Sequence, residues 1–143
     1  KIIERFLVLI LVGMVLNVIW QVFTRFFTSS PSAFTNELAR YLMIWLGILG
    51  AAYISGKQEH VAIDFFVKKL NNSLRRFIDR FVLLSILSFA FFVMIIGGIN
   101  LVYITLKLEQ YSPSLQIPLA LVYSIIPISG LLIIFYKVTQ EKS

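Results

Sequence analysis

The chain has 143 residues, 59% of them hydrophobic and only 14% charged, with 13 Lys and Arg against 7 Asp and Glu for a net charge of +6. An ordinary soluble domain carries about 25% charged residues, so a chain with a mean hydropathy of +0.88 reads as an integral membrane protein long enough for one helical bundle. The absence of cysteine excludes disulfides, thiol redox chemistry and cysteine-ligated metals, and a single histidine excludes a bis-histidine haem held within the chain.

Lys1, Glu4 and Arg5 precede an apolar run that predicts a first span over about 6–24. A charged start before an apolar stretch also fits a secretory leader, with small residues from Ser29 to Ala33 for cleavage. The run is longer than a leader requires, however, and three further apolar stretches follow. Asn17 and Gln21, four apart, lie on one helix face with Gly13. Amides in lipid seek partners, so this face is expected to meet another helix. Pro31 ends the run, and Phe23, Phe26, Phe27 and Phe34 form an aromatic belt at the water interface.

The second span is expected over about 38–55. At its mouth Glu37 and Arg40, three apart, are placed to pair with each other, with contact to a partner protein as the alternative. Gly47 and Ala51, with Gly50 between them, give the small-residue spacing that lets another backbone approach. Trp45 lies deeper than a belt tryptophan and is read as facing protein. From 57 to 80 the chain turns basic, with apolar residues interleaved at helical spacing. That pattern predicts an amphipathic helix over about 58–72 lying in the membrane plane, with Lys68, Lys69, Arg75 and Arg76 toward lipid head groups. His60 and Asp64 are four apart on it and are expected to hydrogen-bond; a metal site needs more ligands than this pair supplies.

A third span over about 77–106 exceeds a perpendicular crossing and implies tilt or protrusion. Gly97, Gly98 and Asn100 mark a bend or a close approach. The polar loop KLEQYSPSLQ then leads to a fourth span over about 117–136, which Pro127 should kink. Four spans put both termini and the 57–80 segment on one side. That side holds ten of the thirteen Lys and Arg; the other holds only Arg25, Arg40 and Lys107. The positive-inside rule therefore places both termini in the cytoplasm. The fold class is all-α integral membrane: four transmembrane helices plus one interfacial helix between spans two and three.

The apolar cores of the spans hold no Asp, Glu, Lys, Arg or His. Intramembrane ionisable groups mark ion paths and proton relays, so this chain is not expected to transport anything alone. No nucleophile–base pair or Gly-rich phosphate loop is present, so no enzyme activity and no cofactor are expected. The positive charge flanks the spans and implies lipid head groups, not nucleic acid.

The order Glu37, Arg40, Trp45, Gly47, Gly50, then His60-Val-x-x-x-Asp64, resembles the small membrane subunit of tripartite ATP-independent periplasmic (TRAP) transporters. The later Tyr111–Pro118, YSPSLQIP, with Tyr123, Pro127 and Gly130, is similar to that family's last loop and helix. The overall look is closest to subunits of sialic-acid systems. The resemblance implies a scaffold in the bacterial inner membrane that steadies a large elevator-type subunit, which carries the substrate and sodium sites. A soluble periplasmic protein would deliver the organic acid. On this reading Asn17, Gln21, Gly47, Gly50, Ala51, Gly97 and Gly98 meet the large subunit. The periplasmic loops, with Arg25, Ser29, Ser30, Glu37, Arg40, Lys107, Glu109 and Gln110, help dock the binding protein. Trp45, His60, Asp64, Pro118 and Pro127 serve structure. The rival is a membrane anchor for a redox or enzyme complex, which would usually place a histidine inside a span, whereas His60 lies outside. A self-associating exporter would need a membrane carboxylate.

Overall fold

Inside a bilayer the backbone must satisfy its own N–H and C=O groups, and the described residues do so almost wholly as helix. The computed structural model describes residues 2–28, 32–57 and 72–141. The helices are α1 (Ile2–Thr28), α2 (Ala33–Gly56), α3 (Asn72–Ser88), a π-helical segment (Phe89–Gly97), α4 (Gly98–Lys107), α5 (Leu119–Tyr123) and α6 (Ile125–Glu141). α3, the π segment and α4 run on without a break. Four stretches are long and apolar enough to cross a membrane: Ile2–Phe27, Ala33–Gly56, Leu74–Lys107 and Leu119–Thr139. The interfacial helix expected over 58–72 lies outside the described residues except for Asn72, which begins α3. His60, Asp64, Lys68, Lys69, Ser29 and Ser30 lie outside them too.

The spans are ordered laterally as first, second, fourth, third. α1 packs along α2, α2 along α6, and α6 along the π segment. Two apolar clusters mark these seams. Ile10, Leu49 and Ile125 join the first, second and fourth spans, while Ala52, Ala90, Met94 and Ile133 join the second, third and fourth.

The third span has 34 residues, about 51 Å at 1.5 Å per residue, against a hydrocarbon thickness of about 30 Å. Its middle is wound more loosely than an α-helix. Ala90, Met94 and Gly98, the buried positions here, recur every four residues. In an α-helix a four-residue repeat drifts by about 40° per step. The i→i+5 winding from Phe89 to Gly97 widens the turn and turns that drift the other way, and all three positions lie against α6. Of the bend or close approach expected around Gly97 and Gly98, the structure shows the close approach at Gly98, where the helix returns to α winding without a break.

Gly98 and Gly130 make the seam between the third and fourth spans close. A Cβ on Gly130 would lie 2.9 Å from Met94 Cβ and 3.1 Å from the Ala90 carbonyl oxygen. A Cβ on Gly98 would lie 2.9 Å from Pro127 Cδ. Pro127 lacks an N–H, and the fourth span breaks at Ser124 just before it, separating α5 from α6. Gly98 is therefore spent inside the chain, so it falls outside any face offered to another subunit.

Gly47 serves as the control, since a Cβ there would meet nothing within 4 Å. Gly130→Ala should lower the thermal stability of the detergent-solubilised protein, at a cost of about 1–3 kcal/mol from overpacking. Gly47→Ala should leave it unchanged or slightly raised, because alanine favours helix over glycine by roughly 1 kcal/mol. Equal melting temperatures for the two variants would contradict the packed seam.

Candidate functional site

The most elaborate polar arrangement among the described residues joins the start of α2 to the 108–118 loop. Glu37 lies one turn into α2 and points its Oε2 into this loop. Ser112 donates its hydroxyl to that oxygen, and the backbone N–H groups of Ser114 (3.1 Å) and Leu115 (3.3 Å) donate to it as well. One carboxylate oxygen thus gathers three donors from a segment 75 or more residues away. Charge-assisted bonds of this kind are roughly twice as strong as neutral ones.

The loop is built to present those donors. α4 ends in a Schellman motif: the Gln110 N–H bonds the Thr105 carbonyl (3.1 Å), and the Glu109 N–H bonds the Leu106 carbonyl (3.0 Å). Glu109 holds the left-handed conformation that this motif requires, with φ 48°. The chain then turns back on itself. The Ser112 N–H bonds the Ile117 carbonyl (2.9 Å), the Gln116 N–H bonds the Ser112 carbonyl (3.0 Å), and Tyr111 and Pro118 pair as an antiparallel bridge. Gln116, with φ 56°, supplies the second left-handed turn. Ser112 is fully buried, with its N–H, carbonyl and hydroxyl all engaged.

Two further bonds tie α2 to its neighbours. The Trp45 indole N–H donates to the Val122 carbonyl (3.1 Å), at the break between α5 and α6. The Asn17 amide of α1 donates to the Thr35 carbonyl (2.7 Å), and both residues are buried. Asn17 thus joins α1 to α2 and, like Gly98, is used within the chain.

The remaining expected site residues separate into groups. Gly47 and Ala51 are exposed on α2 and Gly50 is half-buried, with nothing within 4 Å of a Cβ on either glycine. Met43 and Ile54, exposed in register, extend the same face. Gly97 is exposed on the third span, and Gln21 is half-buried on α1. Lys107, Glu109 and Gln110 are exposed around the 108–118 loop, Arg40 is exposed on α2, and Arg25 is exposed in the last turn of α1. Arg40 makes no ion pair with Glu37 within 4.0 Å; the carboxylate is held by the loop instead. Arg75 and Arg76 are exposed in the first turns of α3, where Arg75 lies 4.0 Å from Asp79. Sequence reasoning missed Ser112, Ser114 and Leu115 as partners of Glu37. The YSPSLQIP motif marked their segment, but nothing local to it points to a residue on α2.

Among the described residues no three His, Cys, Asp or Glu side chains converge to hold a metal ion. Four apolar spans, polar atoms spent on cross-links between them, and a small-residue face left open on α2 define a multi-pass helical membrane protein built to pack.

The family model for the DctQ component of tripartite ATP-independent periplasmic transporters matches residues 14–140, and the chain belongs to that family. It is 36% identical over 102 residues to the C4-dicarboxylate TRAP transporter small permease protein DctQ of Rhodobacter capsulatus, covering 70% of this chain and 44% of that protein. A Haemophilus influenzae protein provisionally named a TRAP transporter small permease is 29% identical over 143 residues, covering 98% of this chain and 85% of its own. The sialic acid TRAP transporter permease protein SiaT of another Haemophilus influenzae strain is 36% identical over 66 residues, 46% of this chain and 11% of SiaT. The match thus spans less than half of the Rhodobacter protein and a small part of SiaT.

Trp45→Phe keeps the ring but removes the donor to Val122. Leaving a buried acceptor unpaired costs about 1–3 kcal/mol, so this variant should melt measurably lower in detergent while retaining full helicity by circular dichroism. An unshifted melt would mean that the indole N–H contributes nothing to the second–fourth span seam.

Proposed function

We propose that the chain is the scaffold subunit of a sodium-coupled secondary transporter in the bacterial inner membrane. It packs on a large multi-span subunit as a hetero-dimer, steadies that subunit while substrate moves, and helps dock a periplasmic binding protein that delivers an organic acid. The substrate is a sialic acid or a C4-dicarboxylate, as the names of the relatives suggest. The sodium sites lie on the large subunit, and both termini face the cytoplasm.

The observation that carries this reading is the Met43, Gly47, Gly50, Ala51 and Ile54 face of α2. It combines small residues with open space, and small residues are what let a second helix approach closely in lipid. The uncharged span cores support a packing role over a conducting one. Gly97 on the third span and Gln21 on α1 are further candidates for this contact. Arg25, Arg40, Lys107, Glu109 and Gln110 belong to the periplasmic side. His60 and Asp64 have a structural role, and the basic residues from Lys68 to Arg76 anchor the chain in head groups.

Mild-detergent purification of this chain from its native membranes should bring down one large partner with many apolar spans in equal amount. Gly47→Leu should reduce that recovery at least severalfold while the chain itself still inserts, since a Cβ at this position meets no atom of the described fold within 4 Å. Undiminished recovery and full uptake with Gly47→Leu would remove this face from the interface. A haem- or flavin-bearing complex in its place would point to the redox anchor.

A further inference from the structure

The exposed residues of the 108–118 loop stand on a frame that Glu37 holds. Their place relative to α2 is set by one carboxylate oxygen and three donors, Ser112 Oγ and the N–H groups of Ser114 and Leu115. Behind that contact Ser112 is inaccessible to solvent; in front of it Lys107, Glu109 and Gln110 are exposed, with Leu108 61% and Tyr111 55% exposed among them. The loop is internally rigid, closed by the Schellman motif at one end and the Tyr111–Pro118 bridge at the other. The loop is carried by α4 and α5, and the Glu37 bonds tie it to α2, opposing its movement relative to that helix. The same helix carries the Gly47 face about two to five turns further on, so α2 connects the loop to the surface proposed to meet the large subunit.

We infer that Glu37 is a positioning residue for docking: it does not itself touch the periplasmic binding protein, but fixes the 108–118 loop so that its exposed rim meets that protein in register with the large subunit. This rests on the docking role proposed above and changes how it is distributed. Glu37 moves from the contact surface to the support behind it, while Arg40, Lys107, Glu109 and Gln110 remain in front. Pre-organising a binding loop reduces the ordering cost of association, so loss of the support should weaken encounter and leave the transport step intact.

The test uses the whole complex in proteoliposomes, with uptake of radiolabelled sialic acid or succinate, whichever the unmodified complex accumulates, titrated with its own binding protein. Glu37→Gln and Ser112→Ala should each raise the half-saturating binding-protein concentration about three- to tenfold, the size of one typical net intramolecular hydrogen bond lost from the support of the loop. Maximal uptake and recovery of the hetero-dimer should stay within twofold. Ser112→Ala removes one donor to the carboxylate, and with it the Oγ that the Leu115 N–H also reaches (3.3 Å), but keeps the carboxylate itself, so it remains informative if Glu37→Gln assembles poorly. Lys107→Glu and Glu109→Lys, on the exposed rim, report on docking itself. If these reversals shift half-saturation and neither Glu37→Gln nor Ser112→Ala does, the positioning role is wrong. Inert reversals would sink the docking reading and this inference with it. A fall in maximal uptake at unchanged half-saturation would likewise overturn it, since a support for docking has no effect once docking is saturated.

Discussion

A bilayer core offers no water to a polar atom, so every amide, indole or carbonyl that enters it must find its partner in protein. In this chain that constraint converges on α2. Its first turn receives the Asn17 amide, Glu37 receives the loop, and Trp45 reaches across to Val122. Apolar packing of Leu49 and Ala52 completes the seams further along. Because lipid tails are as apolar as leucine, packing fit and these directed bonds fix helix register more than hydrophobicity does. α2 is consequently the element against which the first span, the fourth span and the 108–118 loop are all positioned.

Much of this was legible in the sequence because membrane spans announce themselves by composition and length. The four apolar runs, the break near Pro127 and the family all follow from features a few residues wide or from their order along the chain. What escaped is long-range. Glu37 and Arg40 look like a local ion pair because helical spacing relates residues three or four apart, whereas the donor that matters, Ser112, is 75 positions away. Asn17 was correctly marked as an amide in need of a partner, but its sequence neighbourhood cannot say whether that partner belongs to this chain. The glycines show the same limit. Gly47 and Gly98 are alike as letters in apolar runs, yet one faces open space and the other is pressed against Pro127. Only the lateral order of the spans separates them.

The 108–118 loop carries a conformational cost that its role helps to explain. Glu109 and Gln116 both occupy the left-handed region without being glycine. Such residues cost roughly 1–2 kcal/mol each relative to ordinary backbone. The Schellman bonds at one end and the Ser112–Gln116 and Ser112–Ile117 bonds at the other hold them there. The loop is thus bent at two defined points and clamped between them, which suits a segment whose value lies in its shape.

The lateral order of the spans has a consequence for how the molecule comes together. α1 and α2 are consecutive and adjacent, so their seam, including the Asn17–Thr35 bond, can close as soon as both have entered the membrane. The third span has no such opportunity, because its principal neighbour, α6, is synthesised after it. Until the fourth span arrives, Ala90, Met94 and Gly98 lack the surface they pack against in the finished fold. The fourth span then inserts between elements already in place, closing its contacts with α2 and the third span together and bringing the loop's donors to Glu37. Assembly of the bundle is therefore concentrated in the fourth span, and a chain interrupted before Leu119 would hold one finished hairpin and one helix waiting.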